Sequence, residues 1–244
     1  RHTLCISSQV GCAMDCSFCA TGQMGFTRNL TAGEIVDQVL HFARALAAEG
    51  ENVTNIVFMG MGEPFHNYDA VMKSIRIMND ERGLNLGARR FTISTVGLIP
   101  GIKRFTEENS QINLAISLHA TENMRRSSIM PVNQRYPIQD LIQACRDYFD
   151  ATGRRVTFEW ALIDGVNDNV AEAEVLARLL EGLTCHVNVI PLNPTQGFDG
   201  KKSSKENVLA FRDTLVKHGV PCTIRIRRGI DIQAGCGQLA SKHN

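Results

Sequence analysis

No apolar run in the chain is long enough to cross a bilayer, which takes roughly 20 residues in helical form. An excess of charge of one sign is lacking too: 26 Lys and Arg stand against 25 Asp and Glu, a net charge of +1. Global charge therefore offers no case for nucleic-acid binding. Basic pairs do occur, at Arg89-Arg90, Arg125-Arg126, Arg154-Arg155, Lys201-Lys202 and Arg227-Arg228. Taken singly, each reads as a solvated or helix-capping pair. Only their gathering on one face would favour phosphate contacts. There is no internal repeat, no low-complexity segment and no signal-peptide layout. There is also no initiating Met, so the chain reads as a fragment or a processed form.

What is present is ordinary for a folded soluble protein: 43% hydrophobic and 21% charged residues over 244 positions. The eight cysteines are distributed unevenly. Cys12, Cys16 and Cys19 crowd together, whereas Cys5, Cys145, Cys185, Cys222 and Cys236 are spread out. A chain of this length does not need disulfide staples, so clustered thiols read as metal ligands. Cys145, Cys185 and Cys222 fall on predicted helix or strand faces and are assigned to the core.

Strand-like runs alternate with amphipathic stretches. Strands are predicted at Thr3–Ser7, Asn55–Met59, Phe91–Thr95, Ile112–Leu118, Arg155–Leu162, His186–Leu192 and Cys222–Ile226. Helices are predicted after Thr31, which has capping-box spacing to Glu34, from Tyr68 to Asn79, and after Pro100. Further helices are predicted with Pro137 at the first position, after Asn169, and after Ser203. Such alternation implies an α/β chain with a parallel sheet and helical crossovers. Six βα units without a long linker predict one open, partial (β/α)6 barrel with an extra C-terminal strand and loop, and residues 1–244 are expected to form one catalytic domain. Active sites of barrels lie at the carboxyl ends of strands. The unusual residues stand there: Gly60–Pro64, Ser94, Ser117–His119 and Pro191–Pro194.

The segment from Cys12 to Cys19 has the pattern C-x3-C-x2-C directly after the first strand. Three thiolates on one loop can hold three irons of a cubane and leave the fourth open to a chelating ligand. A zinc knuckle completed by Cys5 or His2 is the alternative, although zinc sites more often use paired C-x2-C spacings. The spacing resembles the signature of the radical S-adenosylmethionine (SAM) superfamily, and Phe18 before the third cysteine fits it as well. That resemblance implies a 4Fe–4S cluster on Cys12, Cys16 and Cys19. It also implies SAM chelated to the open iron and cleaved to methionine and a 5′-deoxyadenosyl radical. The Gly60-Met-Gly62-Glu63-Pro64 segment resembles the part of that superfamily that holds the SAM amino group.

The wording of Cys5–Cys12, Gly60–Pro64, Ser117–His119, Ile190–Pro194 and Ala234–Leu239 narrows the resemblance to the RlmN/Cfr type of RNA adenine methyltransferases. The resemblance implies SAM contacts from Gly62, Glu63, Ser94, Ser117, Leu118, His119 and Asn193. It implies that Cys236 is methylated by a first SAM, that a radical from a second SAM activates this methyl group for addition to adenine, and that Cys5 resolves the adduct through a transient disulfide with Cys236. The implied substrate is C2 of adenine in 23S ribosomal RNA, with transfer RNA as a second candidate. C8 methylation of the Cfr type is the near alternative, a zinc-stabilised non-catalytic RNA-binding module the distant one, and a glycyl-radical activase a third. A flavodoxin-like reductant, a monomeric state and a reducing, cytoplasmic compartment are expected. The family's general base is a Glu upstream of the Cys5 counterpart, and its small helical RNA-binding domain is also upstream; neither is present before Cys5 here. Poor RNA methylation by this chain alone is therefore expected, despite SAM cleavage. Val96, where some relatives carry Ser, is a minor departure.

Overall fold

The computed structural model describes residues 2–225, 235 and 237–239. Seven strands, β1 (His2–Cys5), β4 (Val53–Phe58), β5 (Phe91–Thr95), β6 (Asn113–Ser117), β7 (Val156–Leu162), β8 (Cys185–Pro191) and β9 (Cys222–Ile224), pair side by side in chain order. Every pairing is parallel, and the sheet curls into a half-barrel. This is the predicted architecture: six βα units and an added last strand. The helices α2 (Ala32–Ala48), α3 (Tyr68–Asn79), α4 (Ile99–Glu107), α6 (Ile138–Thr152), α7 (Val170–Leu179) and α8 (Lys205–Lys217) form the crossovers.

The period-2 alternation of strands explains which face does what. Phe91 and Ile93, Leu114 and Ile116, Phe158 and Trp160, and Val187 and Val189 are fully buried and belong to the main core with the helices. The intervening residues Ser94, Ser117 and Glu159 face the concave side, where a cleft opens. Cys145 and Cys185 are buried as expected, and Cys222 packs partly buried against the core.

The caps follow local chemistry. Thr31 accepts from the Glu34 backbone N–H, and the Glu34 carboxylate returns the bond to the Thr31 N–H, completing the predicted capping box. Thr31→Ala is expected to cost about 1 kcal/mol, read as a lower denaturation midpoint with an unchanged slope. Asn169 caps α7 by accepting from the Glu172 N–H. Two expectations move by one residue. Ser204, not Ser203, caps α8 through the Asn207 N–H, while Ser203 is buried. Pro137 occupies the N-cap of α6 rather than its first turn.

Four short strands and helices differ from the expected pattern. Between β1 and α2, β2 (Gln9–Gly11) and β3 (Phe26–Asn29) form an antiparallel hairpin that brackets the cysteine loop and the one-turn helix α1 (Ala20–Gln23). The exposed residues of β3 show no apolar alternation. After β6 lies α5 (Asn123–Ile129), seven residues with only Arg126 and Ile129 buried, too short and polar to show a helical period.

Candidate active site

The cysteine loop is pinned from three sides. The Cys12 N–H donates to the Gly25 carbonyl at 2.9 Å, the Ser17 N–H to the Ile129 carbonyl of α5 at 3.0 Å, and the Ala20 N–H to the Gly237 carbonyl at 2.8 Å. Gly22 closes the loop from below. A Cβ there would lie 2.9 Å from both the N and O of Cys16, so only glycine fits. Cys16 packs in a small apolar shell with Ile129, Met130, Ile163 and Leu192, and Met14, Phe18, Cys19 and Val96 lie against it.

Burial pushes the Cys12 thiol up to about 12 and raises Cys16 as well; in both, Cys19 and Glu63 add to the rise, and Cys12 adds to that of Cys16. The three thiols therefore sense one another in a water-poor shell. Among the described residues they do not converge on a single metal ion. The donor set fits an iron–sulfur cubane, which spreads three thiolates over three irons and is protected by apolar surroundings. Binding it would release the thiol protons that burial holds in place.

Beside the loop lies a cleft with about 990 Å³ of empty space, a figure that includes the open solvent of its mouth. Cys16 and Cys19 form one wall. Gly62, Glu63, Ser94, Ser117, His119 and Asn193, six of the seven residues expected to contact SAM, line the rest. The seventh, Leu118, does not. Its side chain is fully buried in the main core, its N–H donates to the Glu159 carbonyl, and its carbonyl accepts from Arg126.

Gly62 has φ +98°, and a Cβ there would meet the Gln9 side chain at 2.5 Å; the turn can be made by glycine alone. It delivers Glu63 to the cleft floor. One Glu63 oxygen accepts from the Phe65 N–H at 2.9 Å and the other from the Val96 N–H at 2.8 Å. Burial nevertheless outweighs these bonds and raises the carboxyl to about 7. His119 adopts φ +61° and its Nδ1 accepts from the Ala161 N–H at 2.8 Å. The ring proton is thus assigned to Nε2. Burial, then the Arg126 charge, lowers His119 to about 3, so the ring is neutral at physiological pH. Asn167 fixes this corner by donating to the His119 and Ala161 carbonyls while accepting from the Ile163 N–H.

Cys5 ends β1 as an exposed residue, yet protein crowds its thiol and desolvation raises it to about 11 against the backbone bond from Met59. Met59 lines the cleft; Cys5 itself does not. Cys236 lies outside the described residues. Of its neighbours in sequence, Gly237 and Leu239 line the cleft, and the Leu239 carbonyl accepts from Thr21.

The cleft also contains residues that no sequence motif marks. Thr95, Met130 and Glu159 line it. Glu159 interrupts an apolar strand between Phe158 and Trp160, a signal that could have placed it. Arg126 corrects an expectation: the Arg125-Arg126 pair reads as solvated in the sequence, but Arg126 is fully buried, while Arg125 makes ion pairs with Glu122 and Glu172.

Comparison with known proteins decides the lineage. Residues 6–180 match the Radical SAM superfamily. The chain is 53% identical over 239 residues to "Dual-specificity RNA methyltransferase RlmN 1" of Myxococcus xanthus, covering 98% of this chain and 67% of that protein. The chain belongs to the RlmN family of radical SAM enzymes. It is also 55% identical to "Ribosomal RNA large subunit methyltransferase N" of Nitrosopumilus maritimus, across 98% of this chain and 68% of the relative. A crystal structure of a radical SAM methyltransferase from Sphaerobacter thermophilus superimposes with a TM-score of 0.95 at 58% identity, over 97% of this chain and 69% of that one. The chain thus spans about two thirds of the RlmN relatives' length. As a member of the family it is a SAM-dependent methyltransferase that uses an iron–sulfur cluster. Among the described residues, no helix is long and apolar enough to cross a membrane.

Proposed function

We propose that this chain methylates C2 of adenine in 23S ribosomal RNA, and in transfer RNA, with Cys12, Cys16 and Cys19 holding the cluster. The observation that carries this reading is the convergence of Glu63, Ser94, Ser117, His119 and Asn193 with Cys16 and Cys19 around one cleft at the strand ends. When bound, the cluster supplies the electron that cleaves SAM. The protein's own groups do the rest. Glu63 takes the SAM ammonium group, and His119, held neutral, offers an Nε2–H donor. Ser94, Ser117 and Asn193 orient the nucleoside. Met130, Ile190 and Leu192 keep water from the reacting atoms.

Adenine C2 is an electrophilic amidine carbon, so direct attack on a sulfonium methyl is poor chemistry. Two thiols solve this: the methyl group on Cys236 gives one hydrogen atom to the radical that SAM cleavage supplies, the remaining S–CH2 unit bonds to C2, the adduct loses one electron and the C2 proton, and the Cys5 thiolate then attacks the Cys236 sulfur, breaking its S–C bond so that the carbon takes up a proton as the product methyl group and a Cys5–Cys236 disulfide is left. The position of Cys5 beside Met59, a cleft residue, supports its role. Resetting the disulfide calls for the reducing cytoplasm, and the electron for a flavodoxin-like donor. We take the working unit to be a monomer. The test is anaerobic turnover on a 23S fragment with labelled SAM, run with and without the family's Glu-bearing upstream segment because the chain alone is expected to methylate poorly, followed by mass spectrometry of nucleosides. The expected product is 2-methyladenosine; 8-methyladenosine would replace the assignment with the C8 reaction.

A pH signature follows from Glu63. The ammonium group binds the ionised carboxylate, and the empty site holds the proton up to about pH 7. SAM affinity should therefore be flat above that pH and fall below it by up to about tenfold per unit. Glu63→Gln should bind weakly at every pH. Anaerobic calorimetry across this range checks it; an unchanged slope in the variant would contradict the assignment.

A further inference from the structure

Helix α5 serves two structures at once. Its Ile129 carbonyl holds the Ser17 N–H of the cysteine loop. One turn earlier, the fully buried Arg126 reaches across the strand ends: Nε donates to the Leu118 carbonyl at 3.0 Å, Nη2 to the Val96 carbonyl at 2.7 Å and the Ser117 carbonyl at 3.0 Å, and Nη1 to Asn133 Oδ1 at 3.2 Å. All four acceptors are neutral. Among the described residues no carboxylate forms an ion pair with Arg126, and the acids near α5 are taken by Arg125. Neutral acceptors satisfy the guanidinium's hydrogen bonds but leave its charge unmatched, and an unmatched buried charge is costly.

Val96, whose carbonyl Arg126 holds, and Ile129 and Met130, which follow Arg126 in the chain, all pack with Cys16 in the apolar shell, so the guanidinium is tied to the wall of the cysteine loop; His119 and Cys145 sense the same charge. Glu63 lines the same cleft as Cys16, and its oxygens already accept two backbone N–H bonds.

We infer that Arg126 is a built-in counter-charge that sets the reduction potential of the cluster on the cysteine loop, a positioning role that rests on the function proposed above. A cubane held by three thiolates is net negative and becomes more so on gaining an electron. A fixed cation in a water-poor shell stabilises the reduced form more than the oxidised one. Arginine suits the task because it stays protonated and because its fork, bound at four points, cannot swing away to solvent.

The test is an EPR-monitored redox titration of the anaerobically reconstituted protein with dithionite and mediators. Two substitutions attack the charge by different routes. Arg126→Gln removes it. Asn133→Asp sets a carboxylate against Nη1 and neutralises it while the carbonyl bonds remain. Both are expected to make one-electron reduction about tenfold less favourable, a downward shift of about 59 mV. Arg126→Lys, which keeps the charge but loses the fork, should recover most of the shift. If Arg126→Gln fails to fold or to hold its cluster, Asn133→Asp decides. An unchanged midpoint in Asn133→Asp with full iron content overturns the inference, as does a Lys variant that behaves like Gln. Should the unmodified protein assemble no four-iron cluster, the functional reading fails first and this inference with it. Normal SAM cleavage with unmoved midpoints sinks the inference alone.

Discussion

Cys16→Ala is expected to leave a folded protein that cannot retain its cluster and cleaves SAM about a thousandfold more slowly. The folding half of this expectation comes from packing. Cys16 belongs to a small apolar cluster separate from the main core, and Ala can occupy its position beside Gly22 without a clash. The chemical half comes from the donor count. Cys16 is the most buried of the three thiols and senses both others, so its removal leaves two ligands on a loop that no metal then organises. Iron content, visible absorbance and methionine release read the outcome together. A variant that retained full iron and near-normal cleavage would remove Cys16 from the ligand set.

Cys236→Ala should separate the two halves of the reaction. Methyl transfer to RNA is expected to fall at least about a thousandfold, whereas SAM cleavage remains within about twofold. The cluster and the Glu63 cradle do not depend on that thiol. Cys5→Ala should stop one step later, so RNA remains covalently attached to Cys236 because nothing attacks the sulfur to release it. A slow-migrating protein–RNA band, sensitive to nuclease, is the readout. Product formation by Cys236→Ala at the native rate would refute the two-thiol route.

Much of this architecture was legible because it rests on periodicities a sequence carries openly. The β5 segment Phe91–Thr95 and the helix Tyr68–Asn79 match their expected bounds, since alternation and amphipathic spacing there are uninterrupted. The cleft residues at the ends of β4, β5, β6 and β8 were legible because glycine, serine, histidine and asparagine are out of place on apolar strands. Leu118 was not, because sequence adjacency to Ser117 and His119 does not reveal on which side of the backbone a residue points. Arg126 and α5 were hidden for a different reason. A charged pair on a short polar segment looks solvated, and only the tertiary fold shows that one arginine turns inward to bind the Val96, Ser117 and Leu118 carbonyls. Asn167 was likewise invisible, since its bonds to His119 and Ala161 exist only once the strands are side by side.

Metal analysis of the anaerobically reconstituted chain, before and after adding SAM, tests the central claim most directly. About four irons and four sulfides per chain, with a reduced-state EPR signal that changes when SAM binds, are expected from three thiolates that leave one iron open. A colourless protein holding one zinc, or a four-iron signal indifferent to SAM, would contradict it.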